Sequence, residues 1–240
     1  MDFLQTLRLT LGAAFAAVAT SGGASASTAD AERLTFDVYL DEQEIGYHRY
    51  ELRNDGGATV MQTEADFEVR LLFFTAYEYE HRNSELWRDG CLKNIEAQTN
   101  SNGERYEVKG SARDGSFVIE TTSGRSGFAD CVRTFAYWDR RLLDAERLLN
   151  SQTGEYLEIE LTPLPPDELE LGDRVVAVER YRLTAEGMDI RLAYAADSGE
   201  WVALDTEVRG GRTLRYRRNP AELDAREALL VSEAPREEIR

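Results

Sequence analysis

From Leu34 onward the chain alternates. Leu34, Phe36, Val38 and Leu40 take every second place, with Thr35, Asp37 and Tyr39 between them. A period of two marks a strand with one face buried and one face wet. After a polar turn at residues 41–44, Gly46, His48, Tyr50 and Leu52 form a second such face, and Asp55-Gly56-Gly57 reads as a hairpin turn. The longest alternating run follows. Phe67, Val69, Leu71, Phe73, Tyr77 and Tyr79 hold odd positions, and Asp66, Glu68, Arg70, Glu78, Glu80 and Arg82 hold even ones. Leu72, Phe74 and Ala76 interrupt that polarity. Unbroken, this run would extend for about 50 Å at ~3.3 Å per residue, far beyond an ordinary strand, so a bulge or sharp bend is expected near Thr75.

Further strands read at 86–99, 104–110 and 117–122, with Asn102-Gly103 and Asp114-Gly115 at the turns. Others follow at 156–162, 174–183, 190–194, 201–208 and 213–217. One helix is predicted from 139 to 149, with Asp139 as its N-cap, Leu142, Ala145 and Leu149 as its stripe, and Leu143 widening it. Residues 163–166, with three prolines, read as a loop. About eleven antiparallel strands are too many for a flat sheet. The expected architecture is all-β: a single strongly curled antiparallel sheet, an unclosed β-barrel, with one helix plugging the mouth. It occupies residues 33–217 as one domain. Residues 218–240 form an acidic tail, with a marginal helix at 221–230 and a disordered end.

The first 26 residues read differently. Leu9 to Ala19 is an apolar run too short to span a bilayer, and Ala24-Ser25-Ala26 is the small-x-small pattern of a signal-peptidase site. Cleavage is expected after Ala26, with the periplasm as destination. The n-region is weak, resting on Arg8 and the amino terminus against Asp2, and no Cys follows the apolar run to carry a lipid. A stable membrane anchor is therefore not expected. The formal charge is −17, from 45 acidic and 28 basic side chains, which repels nucleic acid and argues against it as a partner. Cys91 and Cys131 are the two cysteines. In an exported chain they read either as a disulfide, worth about 3–4 kcal/mol in the chain-entropy model, or as two buried thiols.

The strings LTFDVYLDEQEIGYHRYEL (34–52), ADFEVRLLFFTAYEYEHRNSELWRDGCL (65–92) and FAYWDRRLLDAERLLNSQTGEYLEIEL (135–161) resemble an uncharacterised bacterial exported family, domain of unknown function 6134. The resemblance runs from about Arg33 to Arg217. More distantly, GEWVALDTEVRGGRTLRYR (199–217) is similar to a second uncharacterised periplasmic family, itself like the lipoprotein carriers in outline. This implies an unclosed barrel able to hold an acyl chain, and it implies no ligand residues.

No catalytic signature is present: there is no GxSxG, HExxH or P-loop, and two histidines exclude a His-rich metal site. No metal or cofactor is expected. The candidate ligand-lining residues are His48, Tyr50, Phe67, Val69, Leu71, Phe73, Tyr77, Tyr79, His81 and Trp138. The imidazoles and phenols would orient a polar head, and the apolar strip would take the tail. The same residues could serve proton transfer, or be satisfied structural groups. Three readings of function follow. The first is a periplasmic binding module or carrier for a lipid or other apolar ligand. The second is a structural or interaction protein of the envelope with a filled core. The third is an enzyme using His48 or His81 with tyrosines.

Overall fold

Apolar faces that recur at every second residue can be buried only by rolling the strands against one another. The computed structural model of the chain, which describes residues 31–71, 74–129, 131–208 and 210–223, does this with one sheet. Residues 1–30, with the expected leader, Phe73 and the tail beyond residue 223 lie outside these residues. β1 (Ala31–Leu40), β2 (Gln43–Asp55), β3 (Ala58–Leu71), β4 (Phe74–Arg88), β5 (Cys91–Ser101), β6 (Glu104–Arg113), β7 (Ser116–Thr121) and β8 (Gly124–Ala129) form one meander. A small hairpin of β9 (Arg147–Leu149) and β10 (Tyr156–Glu158) intervenes. β11 (Glu160–Leu171), β12 (Arg174–Ala185), β13 (Met188–Ala195), β14 (Trp201–Val208) and β15 (Arg212–Arg218) form a second meander. The two join where β1 pairs antiparallel with β15, which makes a 13-stranded sheet with β11 and β8 as its open edges. The curled, unclosed antiparallel sheet is as expected, with thirteen strands in place of about eleven.

Part of the extra count comes from the longest alternating run. It is a hairpin: Leu71 pairs with Phe74, so the chain reverses fully just ahead of Thr75, where a bulge or sharp bend within one strand is expected from the sequence. The expected bulge is present, as a register shift between Val69 and Arg70 that pairs Arg70 with Thr75 and Val69 with Tyr77. The bulge leaves odd residues of β3 opposite odd residues of β4, so Phe67 faces Tyr79 and Ala65 faces His81. The Asn102-Gly103 and Asp114-Gly115 turns have positive φ at both residues, the geometry that two-residue hairpins require. At Gly46 a Cβ would sit 1.9 Å from the Asp66 carbonyl oxygen, so only glycine lets β2 and β3 approach there.

Residues 163–166 are not a loop. They lie within edge strand β11, where a register shift falls between Leu164 and Asp167. Proline is tolerated there because an edge strand has no outer neighbour to receive its missing N–H, and it discourages pairing with another chain. The predicted helix is likewise corrected. Only Arg140–Asp144 is helical, as a short 3-10 helix whose N-cap is Asp139, its carboxylate accepting from the Arg141 amide. Leu148 and Leu149 lie instead on β9, fully buried. Packing decides this: the sheet's concave side takes both leucines, each worth about 2–3 kcal/mol, which outweighs local helix preference.

The segment 131–159 is thus the plug, and it is mostly irregular. Val132, Ala136, Leu142, Leu148 and Leu149 pack from it onto Trp87, Leu92, Ile95 and Phe117 of the sheet. Its start is fixed to β5. Cys91 and Cys131 form a disulfide with a Cα–Cα distance of 4.9 Å, and the Leu92 amide donates to the Val132 carbonyl. A second buried cluster gathers Val38, Leu40, Ile45, Ala65, Phe67 and Val69.

Candidate functional site

The strand register places the inward side chains in rows. One row runs Phe36, His48, Ala65, His81, Thr99 across β1 to β5. The next runs Leu34, Tyr50, Thr63, Asn83, Ala97, and a third runs Leu52, Met61, Glu85, Ile95. Ala65 is small and stands between the two histidines. The plug covers these rows with Thr134, Phe135, Tyr137, Trp138 and Gln152, and a cavity of about 170 Å³ remains between sheet and plug.

The walls of this chamber are chemically specific. Thr63 donates its hydroxyl to the Arg49 carbonyl at 2.8 Å, so it accepts from His48 Nε2, also at 2.8 Å. That fixes the proton on Nε2 and leaves Nδ1 to accept from the Tyr50 hydroxyl at 3.3 Å. Tyr50, Phe67 and Tyr216 surround the His48 ring at 4.4, 6.4 and 5.7 Å between centroids. Burial holds His48 well below its usual pKa, with the nearby His81 acting in the same direction. His81 is buried, its Nδ1 lies 2.8 Å from the Thr99 hydroxyl, and burial lowers its pKa to about 4. Both imidazoles are therefore neutral at neutral pH.

Glu85 is 1% exposed. Its Oε1 accepts from Asn83 Nδ2 at 2.8 Å, and its Oε2 accepts from Trp87 Nε1 at 2.8 Å and from the Thr134 hydroxyl at 3.3 Å. Burial lifts its pKa to about 7 against the three hydrogen bonds, which favour the charged form. Because Asn83 must turn its amide nitrogen to the ionised carboxylate, its Oδ1 is the free end, and that atom is buried without a partner. Trp138 Nε1, which lies in the plug with its ring edge-to-face on Trp87 at 5.7 Å, is likewise buried and unpartnered. At the lip, the Tyr79 hydroxyl donates to Gln152 Oε1 at 3.1 Å.

Of the residues read as ligand-lining, the chamber brings together His48, Tyr50, Tyr79, His81 and Trp138. Phe67 and Val69 belong to the neighbouring apolar cluster, although Phe67 touches the site by stacking on Tyr79 at 5.2 Å. Tyr77 stands exposed at the rim, its hydroxyl 3.0 Å from Ser101 Oγ. The side chains of Leu71 and Phe73 lie outside the described residues. The sequence reading missed Thr63, Asn83, Glu85 and Thr134. The signal for two of them was present: Asn83 and Glu85 continue the odd, inward face of β4 between His81 and Trp87. Glu78 and Glu80 are exposed, as their even positions required. Among the described residues no group of three or more His, Cys, Asp or Glu could hold a metal ion. A larger groove, about 440 Å³, lies on the outer face. There Arg82 pairs with Glu64 and Lys109 with Glu107 across an open, charged surface. Cross-strand pairing accounts for that surface without a ligand.

The fold has a counterpart among solved structures. It is similar to a beta-barrel-like protein of domain of unknown function DUF1849 from Brucella abortus, with a TM-score of 0.56 and 10% identity. The match covers 78% of this chain and 95% of that one. At that identity the likeness concerns architecture alone. A search of curated proteins finds no match. The model of domain of unknown function DUF6134 matches residues 36–219, from the first row of the chamber through the strand that joins the two meanders, and the chain belongs to that family.

Proposed function

We propose that this protein is an exported binding module that holds a small amphiphile inside the barrel, its polar end in the chamber and its apolar part against the aromatic lip. The observation that carries this reading is the pair of buried, unpartnered polar atoms, Asn83 Oδ1 and Trp138 Nε1, both in residues lining a cavity of about 170 Å³. Leaving such atoms unsatisfied costs about 1–3 kcal/mol each, which a ligand that meets them would recover. Tyr79, Phe135 and Met188 supply the apolar wall. The volume is that of a single ring or a headgroup, so a longer chain would have to leave past Tyr79. Export to the periplasm is part of the same proposal, and the Cys91–Cys131 disulfide supports it, since such bonds persist in oxidising compartments.

Native mass spectrometry of gently purified protein tests the proposal, together with titration of a fluorescent acyl probe followed by tryptophan quenching. The expected result is a co-purified mass or saturable probe uptake, and a polypeptide mass consistent with cleavage after Ala26. A clean apo mass with no probe uptake would leave the chain as a filled-core envelope protein, a reading that the densely packed plug favours.

A further inference from the structure

The buried floor of the chamber holds a carboxylate and a free amide oxygen side by side. Among the described residues no Lys or Arg pairs with Glu85; its partners are the neutral groups of Asn83, Trp87 and Thr134. Asn83 adds a second acceptor, its buried and unpartnered Oδ1. His48 spends its one proton on Thr63 and brings no charge. Among the described residues that line the chamber, the buried donor without a partner is Trp138 Nε1. A buried carboxylate without a cation is costly, and a buried acceptor without a donor is costly too. One kind of group relieves both.

We propose that the polar end of the bound molecule is an organic cation bearing N–H donors, an ammonium or amidinium group, seated against Asn83 Oδ1 and the Glu85 carboxylate with aromatic side chains around it. The proposal rests on the binding reading above and sharpens it to a ligand class. Tyr79, Tyr137 and Trp138 border the cavity and present ring faces or edges on which a partly desolvated cation gains attraction where a face is offered. The neutral histidines do not repel it. The chain's net charge of −17 draws cations toward the protein and raises their rate of encounter. The cavity of about 170 Å³ suits a molecule with one ring.

The test uses three probes of matched size, benzylammonium, benzyl alcohol and benzoate, titrated calorimetrically into the disulfide-intact protein. At pH 8 benzylammonium is expected to bind at least tenfold tighter than benzyl alcohol, and benzoate not at all. The titratable groups turned into the chamber besides Glu85 are His48 and Tyr50 of β2, Tyr79 and His81 of β4, and Tyr137 of the plug. The tyrosines are held above their ordinary range and the histidines below theirs. Between pH 8 and pH 5 Glu85 is therefore the group that changes charge. Benzylammonium affinity is expected to fall by at least about tenfold over that span while benzyl alcohol holds steady. Glu85→Gln should erase the preference for the cation. Should that variant fail to fold, the pH series on the unaltered protein decides alone. Equal or tighter binding of benzyl alcohol or benzoate overturns the cation and leaves the binding reading standing. If no probe binds, the acyl probe included, and nothing co-purifies, both fall.

Discussion

Arg218 and Glu85 are the two most deeply buried charged side chains among the described residues, and their surroundings differ. Arg218, 2% exposed at the end of β15, donates to Glu222 Oε2 at 2.7 Å and to the Arg33 carbonyl at 2.9 Å. Glu222 in turn accepts from the Thr35 amide at 2.8 Å and the Thr35 hydroxyl at 2.5 Å. Asn219 adds hydrogen bonds to both carboxylate oxygens of Asp37. Here charge meets charge, and the chain after the last strand is clasped onto the first. Glu85 has dipoles around it and no opposite charge. The clasp sets its cation against an anion, with only Arg218 Nε left without a partner, whereas the chamber leaves a carboxylate with no opposite charge. A buried ion that meets its counter-ion keeps its charge and holds structure together, whereas one that is only hydrogen-bonded is pushed toward its neutral form.

The comparison can be broken first at the clasp. Glu222→Ala strands a buried guanidinium, and unfolding in denaturant should show a loss of about 3–5 kcal/mol. If the loss is under about 1 kcal/mol, the clasp is no more than a surface ion pair. The chamber should respond with the opposite sign. Burial raises Glu85 from its ordinary 4.5 to about 7, so the folded chain keeps a proton that the unfolded chain has released. Its contribution to stability falls as pH rises from about 4.5 to about 7 and stays lost above that. Glu85→Gln should therefore stabilise the protein at pH 8 by up to about 3 kcal/mol and remove this pH slope, measured as the denaturant midpoint from pH 4 to 8.

His81 sharpens the contrast from the acid side. Its pKa falls from 6.5 to about 4, so the unfolded chain takes up a proton that the folded chain refuses, and stability drops as pH falls from about 6.5 to about 4. His81→Asn should shrink that limb to the part owed to His48, without touching the slope owed to Glu85. The smallest effect belongs to the lip. Tyr79→Phe removes one hydrogen bond to Gln152, with an expected cost of about 1 kcal/mol and faster exchange of any bound probe. No change in exchange would mean that the plug moves as a whole or not at all.

The sheet was largely legible because its turns are written in residues that demand them, such as Asn102-Gly103, Asp114-Gly115 and Gly56-Gly57. The β3–β4 hairpin was not, and the bulge opposite Arg70 is the reason: with the extra residue, odd positions face inward on both strands, and the alternation runs through the reversal as if nothing had happened. The prolines of β11 looked like a loop because sequence alone does not say which strand will be an edge. Leu148 and Leu149 looked helical because the surface that would bury them is assembled from strands far away in the chain. Half the chamber was visible as aromatic and imidazole side chains on a shared face. Glu85 was passed over although it continues the odd, inward face of β4, since an acid beside Asn83 and Ser84 resembles any residue of a wet strand until the plug is laid over it.

The pairing of β1 with β15 carries a consequence for how the molecule comes into being. Every other contact in the main sheet joins neighbours in sequence and can zip from a local turn, whereas this one must bring together the two ends of the chain. Two ribbons would thus form early and wait for each other. A protein crossing a membrane amino terminus first would hold one edge of its opening strand unpaired until β15 had followed, and a chaperone that shields that edge of β1 during the interval would have its greatest effect there.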